Sequence, residues 1–288
     1  MTEIKTAKPS SKAVPQRNTN NTLTETRKAT FAAVIKSDAV QRSLSSTLGD
    51  MAKTKTFTAS LISAVSTTPA LRECEPMSVI SAALLGESLN LSPSPQLGHY
   101  YLMPFKDNKS GTTKATFVLG WKGYYQLSLR SGQYKNIDAV AIKEGELKDY
   151  NPITGEITLK AISDPLARER AKTIGYYAFF ELNNGFRKSL YWSKEKMEAH
   201  AQKYSKGYSA HKGYTFWEKD FDSMALKTMY RQLISKYGIM SIEMQTAIVN
   251  DMTIQPDITT DDKDPVYFDN SDIIEGEFVE TSNATETD

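Results

Sequence analysis

The sequence is poor in the residues that build disulfide and zinc sites, with one cysteine, Cys74, and three histidines among 288 residues. A single cysteine excludes an internal disulfide framework, which fits a reducing compartment, and leaves a structural zinc site without its usual ligands. No apolar run approaches the roughly 20 residues of a membrane-spanning helix, and the polar N-terminus lacks a signal-peptide core. We therefore expect a cytoplasmic protein with no membrane association.

The glycine motifs that cradle phosphates are also missing. No GxxxxGK loop followed by serine or threonine is present, so the sequence offers no backbone cradle for a triphosphate. GxGxxG is absent too, and the nearest match, Gly120-Trp-Lys-Gly123, places bulky residues where a pyrophosphate would have to approach. The sequence therefore argues against a motor or recombinase that is driven by nucleotide hydrolysis.

Carboxylates that could hold catalytic metals are scattered along the chain. HExxH, paired CxxC motifs and EF-hand loops are absent. Asp220 and Asp222 lie on a predicted helix without sharing a face, while Glu144, Glu146 and Asp149 lie near a predicted turn. A metal-dependent nucleic-acid enzyme is the weaker alternative, because solvated turn acids are far commoner than metal sites. We expect no catalytic residue, no bound metal and no enzymatic activity.

Acidic and basic residues are distributed very unevenly along the chain. Residues 1–30 carry a net charge of +4, residues 31–249 a net charge of +8, and residues 250–288 a net charge of −11. A basic middle followed by an acidic tail indicates a polyanionic partner and a tail that could compete with that partner. The alternative is a solvated tail that only aids solubility.

Composition and periodicity divide the chain into three parts. Residues 1–29 are expected to be a disordered N-terminal tail, residues 30–250 a folded core, and residues 251–288 a disordered acidic tail. Within the core, the expected order is helical over 30–92, β-rich over 97–192 and helical over 193–250.

Two hairpins and one long helix are the clearest predicted elements. Alternating runs flank the loop KDNKSGT, and a second pair flanks Asn183-Asn-Gly185, a turn sequence typical of hairpins. One helix is predicted to begin near Trp121, another is capped by Ser193, and the longest covers Trp217 to Tyr237 with Gly238 at its end. The sequence thus predicts an α+β fold with a curved, mainly antiparallel sheet.

The stretch from His99 to Lys135 combines aromatic and basic residues in the run HYYLMPFKDNKSGTTKATFVLGWKGYYQLSLRSGQYK. Such a surface can hold phosphates with Lys and Arg and offer flat rings to unstacked bases. Lys122, Gln126 and Arg130 recur every four residues in the helix predicted there, so they share a face suited to tracking a phosphate backbone. The alternative is an ordinary solvated helix face.

Further basic and aromatic residues extend this predicted interface. A glycine-containing loop around Tyr208 is placed to close over a bound strand, and two cations of the longest helix either line the same groove or form a solvated stripe. The complete set of predicted DNA contacts is Lys106, Lys109, Lys114, Lys122, Gln126, Arg130, Lys135, Lys206, Tyr208, Lys212, Lys227 and Arg231. The candidates for base stacking are Tyr100, Phe117, Trp121 and Tyr124, for which the alternative is burial in the core.

Two segments of the chain, GWKGYYQLSLRSGQYK and MALKTMYRQLISKYG, resemble motifs of the RecT family of phage single-strand annealing proteins, the RecT/Redβ recombinases. The similarity covers roughly residues 30–250, and two separated motifs in the right order make it specific. The resemblance implies an ATP-independent recombinase that coats single-stranded DNA and anneals complementary strands. In the implied fold, a β-hairpin and sheet pack on a long helix beneath a basic groove. Carried onto this chain, the groove residues are Lys122, Gln126, Arg130, Lys227 and Arg231.

The resemblance also implies partners and an assembly. We expect a homo-oligomeric ring or helical filament on single-stranded DNA that holds an annealed duplex intermediate and works beside a phage exonuclease and a host single-strand binding protein. This would place the chain in the cytoplasm of a bacterial host, encoded by a prophage. No cofactor is expected to be required, with Mg²⁺ only modulating phosphate repulsion. A protective single-strand binder without annealing activity is the main alternative, because composition alone does not separate the two.

Overall fold

Residues 30–106, 111–213, 215–255 and 266–267 are described by the structure, a computed structural model. The predicted N-terminal tail, Lys109 and most of the acidic tail lie outside these residues. The helices are α1 (Phe31–Ile35), α2 (Asp38–Leu48), α3 (Met51–Thr67), α4 (Pro76–Ser88), α5 (Trp121–Arg130), α6 (Pro165–Arg170), α7 (Lys194–Tyr204), α8 (Lys206–Ser209), α9 (Phe216–Lys219), α10 (Phe221–Tyr237) and α11 (Ile242–Val249), with a short 3₁₀ helix at Pro69–Glu73. The strands are β1 (Tyr100–Lys106), β2 (Thr113–Leu119), β3 (Tyr134–Lys143), β4 (Leu147–Tyr150), β5 (Ile157–Leu159), β6 (Thr173–Leu182), β7 (Arg187–Ser193), β8 (Thr253–Ile254) and β9 (Val266–Tyr267).

The fold is of the α+β class, as predicted, but the strands of the described residues form three separate antiparallel sheets. In the first sheet, β8 and β9 extend the hairpin β1–β2. The second has the order β3-β6-β7, and β4 pairs only with β5. The prediction of a single sheet is therefore wrong. Local alternation predicts strands, but it does not say which strands pair, and here α5 follows β2 and separates the two larger sheets along the chain.

Both hairpins predicted from the sequence are confirmed. β1 and β2 pair from Tyr100 opposite Leu119 to Lys106 opposite Thr113. β6 and β7 pair on either side of the turn at Asn183–Gly185, where Gly185 has a φ of +87°. Glycine adopts this left-handed conformation without the steric cost that a Cβ would add, which is why the turn sequence was informative.

The two hairpins pack on different helices. β1 and β2 lie on α4, and the ring of Tyr100 sits so close to Gly86 that a methyl group there would be 2.3 Å from the ring carbons. The second hairpin and β3 pack on α10. Of the two predicted hairpins, β6–β7 is thus the one that lies on the long helix.

The longest predicted helix is interrupted at Asp220. α9 ends at Lys219, and Asp220 has an extended φ of −150° before α10 begins. The Asp220 carboxylate accepts a hydrogen bond from the backbone N–H of Ser223, which caps the new helix. The prediction of one continuous helix from Trp217 is therefore wrong at this residue, whereas its end at Gly238 is confirmed.

A single apolar core joins the N-terminal helices, both larger sheets and α10. Four tyrosines are among its largest fully buried side chains, namely Tyr100, Tyr124, Tyr176 and Tyr230. Ser193 caps α7 as predicted, because its side chain accepts a hydrogen bond from the backbone N–H of Lys196. Within the part of the chain that the structure describes, no helix is long and apolar enough to cross a bilayer.

Candidate nucleic-acid interface

The position of α5 depends on two glycines that lie directly on the preceding chain. A methyl group at Gly120 would be 2.2 Å from the carbonyl oxygen of Gly98, and one at Gly123 would be 2.2 Å from the carbonyl oxygen of His99. No real Cβ approaches an oxygen so closely, so only glycine lets the first turn of α5 rest on this segment. The GWKG sequence therefore has a packing role that brings His99 next to the helix.

Two basic side chains of α5, Lys122 and Arg130, are near enough to His99 for their charges to act on it. Lys122 and Arg130 are exposed on this helix, and Gln126 lies half-buried between them in sequence. Burial, followed by the charges of Arg130 and Lys122, lowers the pKa of His99 below its usual value. The guanidinium of Arg130 donates a hydrogen bond to the carbonyl oxygen of Leu89 at 3.1 Å, which fixes its direction. We call His99, Lys122, Gln126 and Arg130 the α5 cluster.

Trp121 is half-buried at the start of α5 and already has ring and cation neighbours. Its ring stacks on Tyr230 with centroids 6.3 Å apart, and the ammonium of Lys122 lies 5.6 Å from its centre. Trp121 therefore links the α5 cluster to α10. Its role as a base-stacking residue stays a prediction.

The other three base-stacking predictions are wrong, because the rings are buried. Tyr100, Phe117 and Tyr124 are at most 1% exposed. Tyr100 and Phe117 pack against each other with centroids 4.9 Å apart. Rings without solvent-accessible faces fill the core and have no surface for an unstacked base.

Tyr101 is an aromatic residue of β1 that was not among the predicted base-stacking residues. It follows Tyr100 on β1 and points to the opposite side of the strand, where it is half-buried and packs on Phe216 at 5.6 Å. The Tyr101 hydroxyl and the Lys122 side chain both lie close to Gly98. They are 2.9 and 3.4 Å from the position that a Cβ at residue 98 would occupy. A mostly apolar recess of about 480 Å³ opens beside it. Strict alternation along the strand was the signal that could have distinguished the two tyrosines.

Lys227 does not line an exposed groove, which corrects its predicted role. It is 5% exposed, and its ammonium lies 2.9 Å from a carboxylate oxygen of Asp251. Arg231 binds the same carboxylate at 3.0 Å and has a side chain that is 14% exposed. Asp251 lies 24 and 20 residues away from its two partners in the chain, so no local sequence pattern indicates this contact.

The lysines of the first hairpin lie far from the α5 cluster. Lys106 and Lys114 lie at the end of the hairpin next to its loop. The other end of β2, at Leu119, leads into α5. Five residues of strand separate Lys114 from Leu119, which corresponds to about 17 Å at the usual rise. The structure therefore places the hairpin lysines and the α5 cluster in two different regions.

The remaining predicted contacts are also dispersed. Lys135 is exposed on β3, but its ammonium forms an ion pair of 2.8 Å with Glu181, which binds Arg187 as well. Lys206 and Lys212 are exposed in and after α8. Tyr208 packs on Trp217 and Phe221, with ring centroids 6.3 and 6.2 Å away, so its ring stabilises this segment.

Of the three acids near the predicted turn, Glu146 forms a structural contact, whereas Glu144 and Asp149 are exposed. Glu146 is 3% exposed, and Arg168 donates to both its oxygens at 2.7 and 3.3 Å. The backbone N–H groups of Lys143 and Ile162 complete its shell, and these hydrogen bonds with Arg168 lower its pKa despite burial. Among the described residues, no group of three or more His, Cys, Asp and Glu side chains could hold a metal ion.

Comparisons with known proteins agree with the two motifs. A family model described as RecT family matches residues 55–266, a range that contains α5 and α10. YqaK from Bacillus subtilis (strain 168) is 38% identical over 275 residues, which cover 95% of this chain and 87% of that protein. Protein RecT from Escherichia coli (strain K12) is 32% identical over 222 residues, which cover 76% of each chain.

Proposed function

The chain belongs to the RecT family, and from that premise we propose that it is an ATP-independent single-strand DNA annealing protein of homologous recombination. Family membership supports DNA binding, strand annealing and a role in DNA recombination. The observation that carries the proposal is the α5 cluster, in which the charges of Lys122 and Arg130 both act on His99 within the matched residues.

The α5 cluster has the chemistry to bind a phosphate backbone. Lys122 and Arg130 lie eight residues apart on α5, which corresponds to about 12 Å along a helix axis. They supply two positive charges with several hydrogen-bond donors, and Gln126 adds an amide that can bind phosphate oxygens. Contacts to phosphate carry no sequence information, so contacts of this kind suit any strand.

Annealing follows from charge neutralisation. Two strands repel each other through their phosphates, and neutralising both backbones lowers the barrier to close approach. The protein does not need to read sequence, because base pairing itself tests complementarity. We infer that the chain holds one strand extended with its bases accessible and then stabilises the paired product through its second backbone.

The assembly and partners are part of the same proposal. We propose that copies of the chain coat single-stranded DNA as a ring or helical filament and that a phage exonuclease supplies the strands. A host single-strand binding protein is a further partner in this scheme. No cofactor is required in this scheme, and Mg²⁺ acts only by screening phosphate charge.

The test is annealing of two complementary labelled oligonucleotides without ATP, beside a non-complementary pair. We expect the full-length protein to accelerate pairing of the complementary strands alone. The double variant Lys122→Ala, Arg130→Ala should lose at least about tenfold in annealing rate. Its affinity for a single strand should also fall less steeply with salt, by about 1.4 in the log–log slope for two lost cations.

The matched control removes two exposed lysines elsewhere, at Lys148 on β4 and Lys160 just after β5. The control variant should anneal and bind like the unchanged protein, although its net charge falls by the same amount. Tight strand binding without faster pairing would instead leave a protective single-strand binder. No binding even at low salt would reject the proposal.

A further inference from the structure

A second set of lysines and rings lies on β7, α7 and the end of α10. Lys188 and Trp192 are four residues apart on β7, so they project from the same face of that strand. Lys196, His200 and Lys203 recur on one face of α7. None of these residues was predicted from the sequence as a DNA contact. We call this region, with Tyr204, Lys236 and Tyr237, the β7–α7 surface.

The rings and cations of the β7–α7 surface follow one another in a row. The ammonium of Lys196 lies 4.6 Å from the centre of the Trp192 ring. The Trp192 ring is 5.3 Å from that of His200, which is 4.6 Å from that of Tyr204. The ammonium of Lys203 lies 5.1 Å from the Tyr204 ring. The residues Trp192, His200 and Tyr204 are each only partly buried.

Positive charge continues from this row to the end of α10. The ammonium of Lys188 lies 4.9 Å from the ring of Tyr237, which is 41% exposed. Lys236 is near enough to Lys196 to contribute, after burial, to lowering its pKa. In the described ranges, no carboxylate forms an ion pair with Lys188, Lys196 or Lys236. Like charges gathered in this way favour an anion that binds among them.

His200 contributes a flat neutral ring to the β7–α7 surface. Burial, followed by the charges of Arg231 and Lys203, lowers the pKa of His200 to about 4. The imidazole is therefore uncharged at pH 7. Between Trp192 and Tyr204 it adds ring surface to the row without adding repulsion between cations.

We propose that the β7–α7 surface is a second contact for single-stranded DNA, in which a base stacks on Trp192 while Lys188 and Lys196 hold neighbouring phosphates. The inference rests on the proposed annealing function and adds a contact that the α5 cluster does not include. Partly exposed rings interleaved with lysines are the arrangement that sequence-independent strand binding uses, since every base has a face that can stack. A duplex keeps its bases stacked within the helix, so the surface should prefer a single strand.

The chain itself contains a rival occupant for this surface. Residues 268–288 carry seven acidic and no basic residues, so they complement the same positive charge. This segment has only two aromatic rings, Phe268 and Phe278, whereas a DNA strand offers a base at every nucleotide, and the row of rings therefore favours DNA. Neutralising these acids would change DNA binding differently for the two occupants, so an experiment can separate them.

The experiment measures binding of labelled oligothymidine to the full-length protein by fluorescence anisotropy, with tryptophan fluorescence followed in parallel. Trp192→Leu should weaken binding about tenfold, within the range found for loss of one base-stacking ring, whereas Trp192→Phe should retain most of the affinity. The double variant Lys188→Ala, Lys196→Ala should lower the salt slope by about 1.4. Melting temperatures near that of the unchanged protein show that each variant is folded.

The controls remove comparable groups away from the surface. Tyr150→Leu removes a partly buried ring on β4, and the Lys148→Ala, Lys160→Ala variant removes two exposed lysines. Both should bind oligothymidine like the unchanged protein. Unchanged affinity in the Trp192→Leu and lysine variants, with wild-type binding and annealing intact, overturns this inference and leaves the proposed function standing. A wild-type protein that binds no single strand overturns both.

A full-length variant in which the seven acids of residues 268–288 become Asn or Gln decides between DNA and the tail. The Lys188→Ala, Lys196→Ala change is then compared in two backgrounds, with the acids of residues 268–288 present and with them neutralised. If it weakens DNA binding equally in both, a DNA strand is the occupant. Lysine substitutions that strengthen DNA binding only when the acids are present would assign the surface to the tail and reject the DNA contact.

Discussion

Lys227 and Asp251 form a buried ion pair, with the ammonium 2.9 Å from a carboxylate oxygen and side chains that are 6% and 0% exposed. Arg231 binds the same carboxylate, and the backbone N–H of Leu119 donates to it at 2.9 Å. Asp251 follows α11, so this cluster joins the segment after α11 to α10 and to the end of β2. The charges of Lys227, Arg231 and Asp251 therefore pair with one another within the fold.

We expect Asp251→Asn to lower the free energy of unfolding by about 3–5 kcal/mol, because it leaves the buried ammonium of Lys227 without a counter-charge. Lys227→Met should cost less, since Asp251 keeps Arg231 as its partner. Urea denaturation followed by circular dichroism measures both. Asp149→Asn, at an exposed acid on β4, is the control. Equal small losses in all three variants would show that the cluster contributes little to stability.

For Gly123→Ala, helix propensity and packing predict changes of opposite sign in the free energy of unfolding. Replacing glycine inside an exposed helix usually stabilises a protein by up to about 1 kcal/mol. In α5, the new methyl group would meet the carbonyl oxygen of His99 at 2.2 Å, so we expect a loss of about 1–3 kcal/mol. Thermal and urea unfolding decide the sign. A stabilised variant would contradict the close packing of α5 on the Gly98–His99 segment.

The lowered pKa of His200 predicts a dependence of stability on pH. The unfolded chain binds a proton at His200 near pH 6.5, whereas the folded chain does so only near pH 4. Below pH 6.5 the unfolded state therefore holds more protons, and the free energy of unfolding should fall as the pH drops from about 6.5 to about 4. The pKa of His99 is shifted in the same direction and adds to this loss.

The variant His200→Phe isolates the contribution of His200. It keeps a ring beside Trp192 and Tyr204 and removes the titrating group, so its melting temperature should decline less between pH 7 and pH 5 than that of the unchanged protein. The charges of Arg231 and Lys203 that face His200 stay in place in both proteins. Parallel pH profiles for the two proteins would contradict the assignment.

The neighbouring rings Tyr100 and Tyr101 should behave in opposite ways. Tyr100→Leu removes a core ring that is 1% exposed and should lower the free energy of unfolding by about 2–4 kcal/mol, with little effect on strand binding by the folded protein. Tyr101→Leu should cost less stability and weaken binding of oligothymidine several-fold, because this half-buried ring lies beside Lys122. Urea unfolding and anisotropy measure the two effects. Reversed results would place the interface on the other side of β1.

Local sequence patterns predicted much of the secondary structure. The turn at Asn183–Gly185, the cap at Ser193 and the start of α5 near Trp121 all depend on residues within a few positions of one another. The spacing of Lys122 and Arg130 likewise predicted a shared helix face, since the helical repeat alone determines it. The family resemblance came from continuous motifs for the same reason.

Tertiary structure alone decided which of these groups stay available to a ligand. The sequence predicts that Lys227 and Arg231 form a cationic stripe, yet Asp251, from beyond the next helix, forms ion pairs with both, and Lys227 is buried. Strand alternation separates Tyr100 from Tyr101, but only the packing of α4 determines which of the two is covered. The α+β class, the hairpins and the family could thus be predicted from the sequence, because these depend on short-range periodicity and continuous motifs. Strand pairing, burial and ion pairing were decided by the tertiary structure, because they depend on contacts between residues far apart in the chain.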